Sequence, residues 1–305
     1  MSGPFSERSS LKSKVFGGFS ATIAHSLNLL HRRERFSKGE GTPTPFHFFF
    51  SPKGFRRVLS LVLFFGVWQF LCTIKFNFFI NFTLIPSPLE VLGSTIEFFS
   101  NNPMLHIWAS TVRVISGFAI AALVGISLGI LIGWFQQIED LIFPPLELLR
   151  PIPAVAWIPL AILMFPSSES GMIYITFIGA FFPILISTIR GVENTDLLLL
   201  RVGQCLGAKQ WHLFKDIVVP GAMPSIASGL VIGMGNAWFC LVTAEILAGR
   251  YGIGYLTWES YVTSNYPPIV MGMLMIGLMG AFSTYAVDWL TRLLMPWRVT
   301  KKQNP

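Results

Sequence analysis

Charge is scarce in this sequence. Only 12% of its 305 residues are Asp, Glu, Lys or Arg, against about a quarter in soluble domains, while 52% are apolar and the mean hydropathy is +0.61. That balance excludes a water-soluble globule and predicts an all-α, polytopic membrane protein. Cysteine is equally sparse. Cys72, Cys205 and Cys240 lie in or beside apolar segments without C-x-x-C spacing, so neither a disulfide framework nor a zinc site is expected, and the thiols read as buried and inert. The histidines His25, His31, His47, His106 and His212 are scattered with no H-E-x-x-H pair, which removes the usual metal arrangements. No G-x-x-x-x-G-K-[ST] run offers a site for ATP, and no nucleophile elbow of the G-x-S-x-G type is expected. The chain therefore reads as neither an enzyme nor a cofactor carrier.

The charge that is present is unevenly placed. A formal net charge of +7 would suit nucleic acid, but Arg8, Lys12, Lys14, Arg32, Arg33, Arg35, Lys38, Lys53, Arg56 and Arg57 all precede the first apolar span, which marks a cytoplasmic terminus. This basic arm, residues 1–57, lacks the apolar core of a cleaved secretory signal. Phe16, Phe19, Ile23, Leu27 and Leu30 recur at helical spacing ahead of His31, Arg32 and Arg33. They make either a helix lying on anionic membrane lipid or a disordered arm with accidental periodicity, followed by a flexible linker over 39–45.

About six transmembrane helices are expected, at 58–76, 111–135, 141–165, 172–189, 222–248 and 269–290. Both termini then share one face. The third span is interrupted by Pro144, Pro145, Pro151, Pro153 and Pro159. Arg190, Arg201, Lys209 and Lys215 in one loop, together with Arg292, Arg298 and a short tail over 299–305 holding Lys301 and Lys302, share the face of the basic arm. The opposite loops, 77–110, 166–171 and 249–268, contain only Arg250, so the basic face is assigned to the cytoplasm.

Gly117, Ala121, Gly125, Gly129 and Gly133 repeat every fourth residue of the second span, as Ser225, Gly229, Gly233 and Ala237 do on the fifth. Such stripes admit a close helix neighbour, either within the subunit or across a homodimer. Ionisable groups at membrane depth are costly and so mark candidate sites. Arg150, in the run Leu-Leu-Arg-Pro-Ile-Pro at 148–153, has two readings: it lines a translocation path through a broken helix, or it snorkels or pairs with Glu147. Trp157 and Glu245 are further path candidates, with an interfacial position the other reading for Glu245. Arg113 and Asp288, near span ends, read as topological anchors.

The most polar segment between two spans is 195–220. Asn194, Thr195 and Asp196 are candidate N-caps for a short helix over 197–206. Gly207 stands where a left-handed C-cap is wanted, and a second short helix is expected over 208–219, ending at Pro220. Such a helical hairpin projecting from a membrane is a docking element, with Trp211, Leu213 and Phe214 as apolar anchors and Lys209 and Lys215 as its charged rim, the other reading being aromatics that rest on the membrane surface.

This segment resembles the loop shared by permease subunits of ATP-binding-cassette importers, which begins Glu-Ala-Ala, has glycine at its seventh position and ends Ile-x-Leu-Pro. Gly207, Ile217 and Pro220 fall on the motif, Val219 replaces its leucine, and Arg201, Val202 and Gly203 stand where Glu, Ala and Ala are expected. The runs Ile-Pro-Ser-Pro-Leu-Glu-Val-Leu at 85–92, Arg-Pro-Ile-Pro-Ala-Val-Ala-Trp-Ile-Pro at 150–159, Gly-Ala-Phe-Phe-Pro-Ile-Leu at 179–185 and Gly-Ile-Gly-Tyr-Leu-Thr-Trp at 252–258 narrow the likeness to permeases for nitrate, sulfonate, taurine and bicarbonate. It covers about 59–298 and leaves out the basic arm. The resemblance implies a type I importer permease fold over 58–298, in the bacterial inner membrane. It further implies pairing with a second permease subunit, two copies of a cytoplasmic ATP-binding subunit, and an extracytoplasmic substrate-binding protein. Arg201, Gly207, Ala208, Lys209, Trp211, Phe214, Ile217 and Pro220 would then couple to the ATPase, and the path would serve a small anion. A stand-alone ion-coupled transporter is the rival reading; it calls for a relay of charges deep in several spans and an internal repeat, neither of which is clear in this sequence.

Overall fold

The structure, a computed structural model, describes residues 52–75, 84–100 and 104–295. The periodic segment at 16–33, the linker at 39–45 and the tail at 299–305 lie outside the described residues. The chain divides into two units, Met1–Gly66 and Val67–Pro305. Helix α1 (Pro52–Ile74) begins in the first and enters the second. Its start at Pro52 places the last residues of the basic arm inside a helix, where a first-turn proline loses no hydrogen bond. Its exposed Val62, Leu63, Phe70 and Ile74 suit a lipid environment.

The second unit continues with α2 (Pro88–Ser100), α3 (Met104–Trp134), α4 (Gln136–Leu149), a 3-10 turn (Ala154–Trp157), α5 (Ile158–Met164) and α6 (Ser168–Glu193). There follow α7 (Leu197–Cys205), α8 (Gln210–Leu213), a π-helical turn (Phe214–Val218), α9 (Val219–Ala248), α10 (Ile253–Val262) and α11 (Tyr266–Leu293). No strand occurs among the described residues.

α6 is the central rod, sandwiched between α3 and α9. The stripe on α3 meets it rung by rung: a Cβ on Gly117 would come within 2.7 Å of Thr176 Cβ, and one on Gly129 within 2.7 Å of Thr188 Cβ. Gly125 faces Ile184, and Gly133 faces Val192. From α9, Gly229 approaches Ser187 and Gly233 approaches Ile184. Missing side chains on the outer helices let backbones close on a central helix that supplies the branched side chains. Thr176 and Thr188 donate to the carbonyls of Met172 and Ile184 at 2.8 and 2.7 Å, so the sandwich holds no unsatisfied hydroxyl at these positions. Gly125-Ile-Ser-Leu-Gly129 does spell G-x-S-x-G, but inside a continuous helix, where it packs and forms no strand-to-helix elbow.

Among the described residues, four helical runs are long and apolar enough to cross a membrane, or five with one bent pair, and Val58–Ile74 of α1 is a shorter apolar helix; the remaining expected span, 58–76, lies partly outside the described residues. Two expectations are corrected. The expected span at 141–165 is two helical segments, Gln136–Leu149 and Ala154–Met164, bent by 86°. Pro144 and Pro145 are accommodated within α4, and the chain turns at 150–153, where Pro151 and Pro153 in close succession leave too few amide donors to continue a helix. The acidic 136–140 stretch forms the first turn of α4.

Pro220, finally, does not end the second hairpin helix. The chain is helical without interruption from Gln210 to Ala248, 39 residues. The π turn just before α9 changes the hydrogen-bond register, and Pro220 then occupies the first turn of α9. There its missing N–H and the ring's demand on the preceding turn are relieved by the wider coil.

Filling the glycine stripe tests this packing. Gly129→Val should lower the melting temperature of the purified protein by several degrees, because overpacking typically costs about 1–3 kcal/mol. Gly235→Ala, where a Cβ meets nothing within 4 Å, should leave it unchanged. Equal melting temperatures for the two variants would refute the rung-by-rung contact.

Candidate functional site

The bend between α4 and α5 opens a cavity of about 490 Å³. Arg150, Ile152, Pro153, Ala154 and Val155 form one wall, the middle of α6 (including Gly179, Pro183 and Ser187) a second, and Ile232, Asn236, Phe239 and Cys240 of α9 a third. Among the described residues no carboxylate pairs with Arg150. Its expected partner Glu147 therefore does not neutralise it, and Arg150, itself exposed, lines the cavity. Trp157 closes the 3-10 turn and packs against the core outside this lining, and its buried indole Nε1 has no hydrogen-bond partner among the described residues.

Glu245 is corrected. It does not line the cavity: its side chain is 0% exposed. The carboxylate accepts hydrogen bonds from Ser110 Oγ (2.7 Å), Arg113 Nη1 (2.7 Å) and the Gly254 amide (2.9 Å). Nor is Arg113 an anchor at a span end. It is 3% exposed and holds Glu169 in a two-pronged pair, Nε to Oε2 at 2.7 Å and Nη2 to Oε1 at 2.6 Å. Its Nη1 also donates to the Tyr251 carbonyl at 2.6 Å. The loop between α9 and α10 wraps this pair. Ile253 N donates to Ser110 Oγ at 2.9 Å, and Gly252, at φ +138, lies so close that any Cβ would collide with the Glu245 carboxylate. Two charges can be buried here because each oxygen and nitrogen has a partner and the charges compensate.

Each charge read alone suggested a span end, but a signal was present. Arg113 is four residues before Gly117, and Glu245 continues the register of Gly229, Gly233 and Ala237. Both lie on the stripes that face α6, so both had to point inward.

At the far end of α6 stands the hairpin. Asp196 Oδ1 accepts from Leu198 N at 2.8 Å and caps α7. Gly207 has φ +80, its amide donates to the Gln204 carbonyl at 2.9 Å, and the Ala208 amide donates to the Gly203 carbonyl at 3.0 Å. These two bonds make a Schellman termination. A Cβ on Gly207 would meet nothing, so its backbone angle alone calls for glycine. Gly203 receives Leu213, whose Cδ2 would lie 2.6 Å from a Cβ there, and this locks the two arms together. Trp211 is 65% exposed and packs its ring on Phe214 at 5.7 Å, with Phe214 against Trp134 at 5.4 Å. Val202 and Leu206 are exposed beside Arg201, Lys209 and Lys215. Ile217 and Pro220 are half-buried below them. Cys205 is exposed, against the expectation of a buried thiol, because its position on α7 faces away from Leu213.

Compared with known proteins, residues 121–299 match the family described as the binding-protein-dependent transport system inner membrane component. The chain belongs to this family. The permease is 34% identical over 262 residues to the nitrate import permease protein NrtB of Synechocystis sp., covering 83% of this chain and 93% of that one. It is 42% identical over 191 residues to a putative ABC transporter permease protein of Methanocaldococcus jannaschii, covering 62% and 72%. It is 35% identical over 188 residues to the bicarbonate transport system permease protein CmpB of Synechococcus elongatus, covering 61% and 68%. It is thus a permease subunit of an ABC importer, similar to relatives named as nitrate and bicarbonate permeases, and not an enzyme. Membership implies ATP-binding and substrate-binding protein partners.

The buried pair makes a testable contrast. Glu245→Ala should cost about 3–5 kcal/mol, since it strands the Arg113 charge. Glu169→Gln, altering a side chain that is 59% exposed, should cost about 1 kcal/mol or less. The double variant Arg113→Met/Glu245→Met should unfold at a higher temperature than either single variant. Thermal unfolding of the solubilised permease measures all of these, and single and double variants of equal stability would contradict the pairing.

Proposed function

We propose that this permease carries a small anion of the nitrate, bicarbonate or sulfonate class through the cavity at the broken span, driven by a cytoplasmic ATPase that docks on the 195–220 hairpin. The observation that carries this reading is mechanical. The hairpin's second arm is the start of the helix that runs unbroken to Ala248, about 58 Å at 1.5 Å per residue, and Asn236 and Cys240 of the cavity wall lie on that helix. A displacement of the hairpin therefore reaches the cavity without a flexible joint. Val202, Leu206 and Trp211, each worth about 1.5–3 kcal/mol if buried, offer the apolar anchors, and Arg201, Lys209 and Lys215 the charged rim. Arg201 takes the position of the acidic residue usual in this loop, so the partner's groove would present a carboxylate or a carbonyl to it.

In this reading residues 58–298 form the transport domain, the basic arm at 1–57 and the tail at 299–305 are cytoplasmic, and the membrane is the bacterial inner one. Two identical permease subunits pair, each engaging one of two ATPase copies, and the substrate-binding protein delivers the anion from the opposite side. The placement of Lys and Arg supports this orientation. The names of the relatives support the nitrate and bicarbonate class.

Gly207→Pro forces φ near −65° where +80 is needed, and should abolish ATP-dependent uptake by the reconstituted transporter. Trp211→Ala should lower it by about tenfold, the effect of losing one interface anchor. Uptake and substrate-stimulated ATPase activity left intact in both variants would rule out docking at this hairpin. Uptake by the permease alone in ATP-free liposomes would favour an ion-coupled carrier instead.

A further inference from the structure

Two cavity residues besides Arg150 stand out by what they do not bond. Most helical hydroxyls in this protein are turned back onto their own helix: Thr188 donates to Ile184 O at 2.7 Å, Ser228 to Pro224 O at 3.0 Å and Thr243 to Phe239 O at 3.0 Å. Ser187, next to Thr188, makes no such bond, and neither its hydroxyl nor the Asn236 amide has a side-chain hydrogen-bond partner among the described residues. Both line the 490 Å³ cavity with Arg150. Apart from these three and the Cys240 thiol, the lining is glycine, proline and apolar side chains, and it holds no carboxylate.

We propose that Ser187 and Asn236 are specificity-determining residues of the transport path, and that with Arg150 they form a donor set selecting small oxyanions and rejecting cations. This rests on the reading of the cavity as that path. The chemistry follows from the inventory of donors. Guanidinium offers up to five N–H groups, the amide two and the hydroxyl one, so an anion with several oxygens can engage all three residues while its charge is balanced by Arg150. A cation meets the same guanidinium with no acidic group to offset it, in surroundings where apolar walls strengthen the repulsion. The donors also belong to three elements: the bend, α6 and α9. Movement of α9 with the hairpin would therefore separate Asn236 from the other two, so the set is complete in one conformation and divided in another, which is how an anion can be held and then released.

The test reads the charge preference of the cavity directly. The full transporter, reconstituted in nanodiscs, carries Asn236→Cys on a background of Cys72→Ser, Cys205→Ser and Cys240→Ala. Modification rates are measured with anionic sulfonatoethyl methanethiosulfonate and with cationic trimethylammonioethyl methanethiosulfonate, each divided by its rate with a free thiol in solution. The anionic reagent should be favoured by about tenfold or more, and adding Arg150→Gln should remove the preference. In a parallel measurement, Asn236→Asp should reduce nitrate uptake by about tenfold or more. Ser187→Ala should raise KM for uptake several-fold with little change in the maximal rate.

Equal or cation-favouring labelling, or no labelling by either reagent, overturns the proposal. So does a preference that survives Arg150→Gln. These outcomes are separable from a failure of the importer reading, which shows as absent ATP-dependent uptake in the unsubstituted complex. An Asn236→Cys transporter with Arg150 intact that keeps ligand-stimulated ATPase activity but lacks charge preference refutes the donor set alone.

Discussion

α6 can sit between α3 and α9 only because the faces turned toward it carry almost no side chain. In hydrocarbon the hydrophobic effect does not drive helices together, so close van der Waals contact and satisfied polar groups must do it. The stripe on α3 and the matching face of α9 provide that contact along most of the length of α6. The same registers end in Arg113 and Glu245, whose buried pair joins α3 to α9, while Glu169 brings in the first turn of α6. One geometric device, a repeat of four residues, thus both packs the three helices and aligns the charges that fasten them at one end.

The other end is built for contact rather than closure. There α7, α8 and the π turn leave Val202, Leu206 and Trp211 in the open, held in place by Leu213 in the gap at Gly203 and by the cluster of Val192, Val218, Ala222 and Ile226. Rigid at its root and apolar at its tip, the hairpin suits the transmission of force. The cavity between the two ends is the opposite case. Pro151 and Pro153 break the helix beside it, and Arg150, Ser187 and Asn236 line a space in which no side chain among the described residues pairs with them.

Legibility followed the range of the interaction involved. Helix type, the Asp196 cap and the left-handed Gly207 follow from residues within a few positions, and the structure shows each. The break in the third span was visible as a proline cluster, although which prolines turn the chain was not, because Pro144 and Pro145 differ from Pro151 and Pro153 only in context. The end of the hairpin helix was misplaced for a related reason. Proline reads as a stop, and the π turn that accommodates Pro220 depends on contacts made by Phe214 and Val218 with helices distant in the chain.

By itself the sequence determined that this is an all-helical membrane protein of the permease family, where its long apolar helices lie, and which faces of α3 and α9 are smooth. Those properties rest on hydropathy, spacing and the steric limits of glycine and proline, which act locally. Only the tertiary structure decided what the smooth faces meet, that Arg113 and Glu245 are partners 132 positions apart, and that Arg150, with no carboxylate partner among the described residues, lines one cavity with Ser187 and Asn236. The cost of burying a charge depends on what lies opposite it, and that is a matter of three-dimensional position alone.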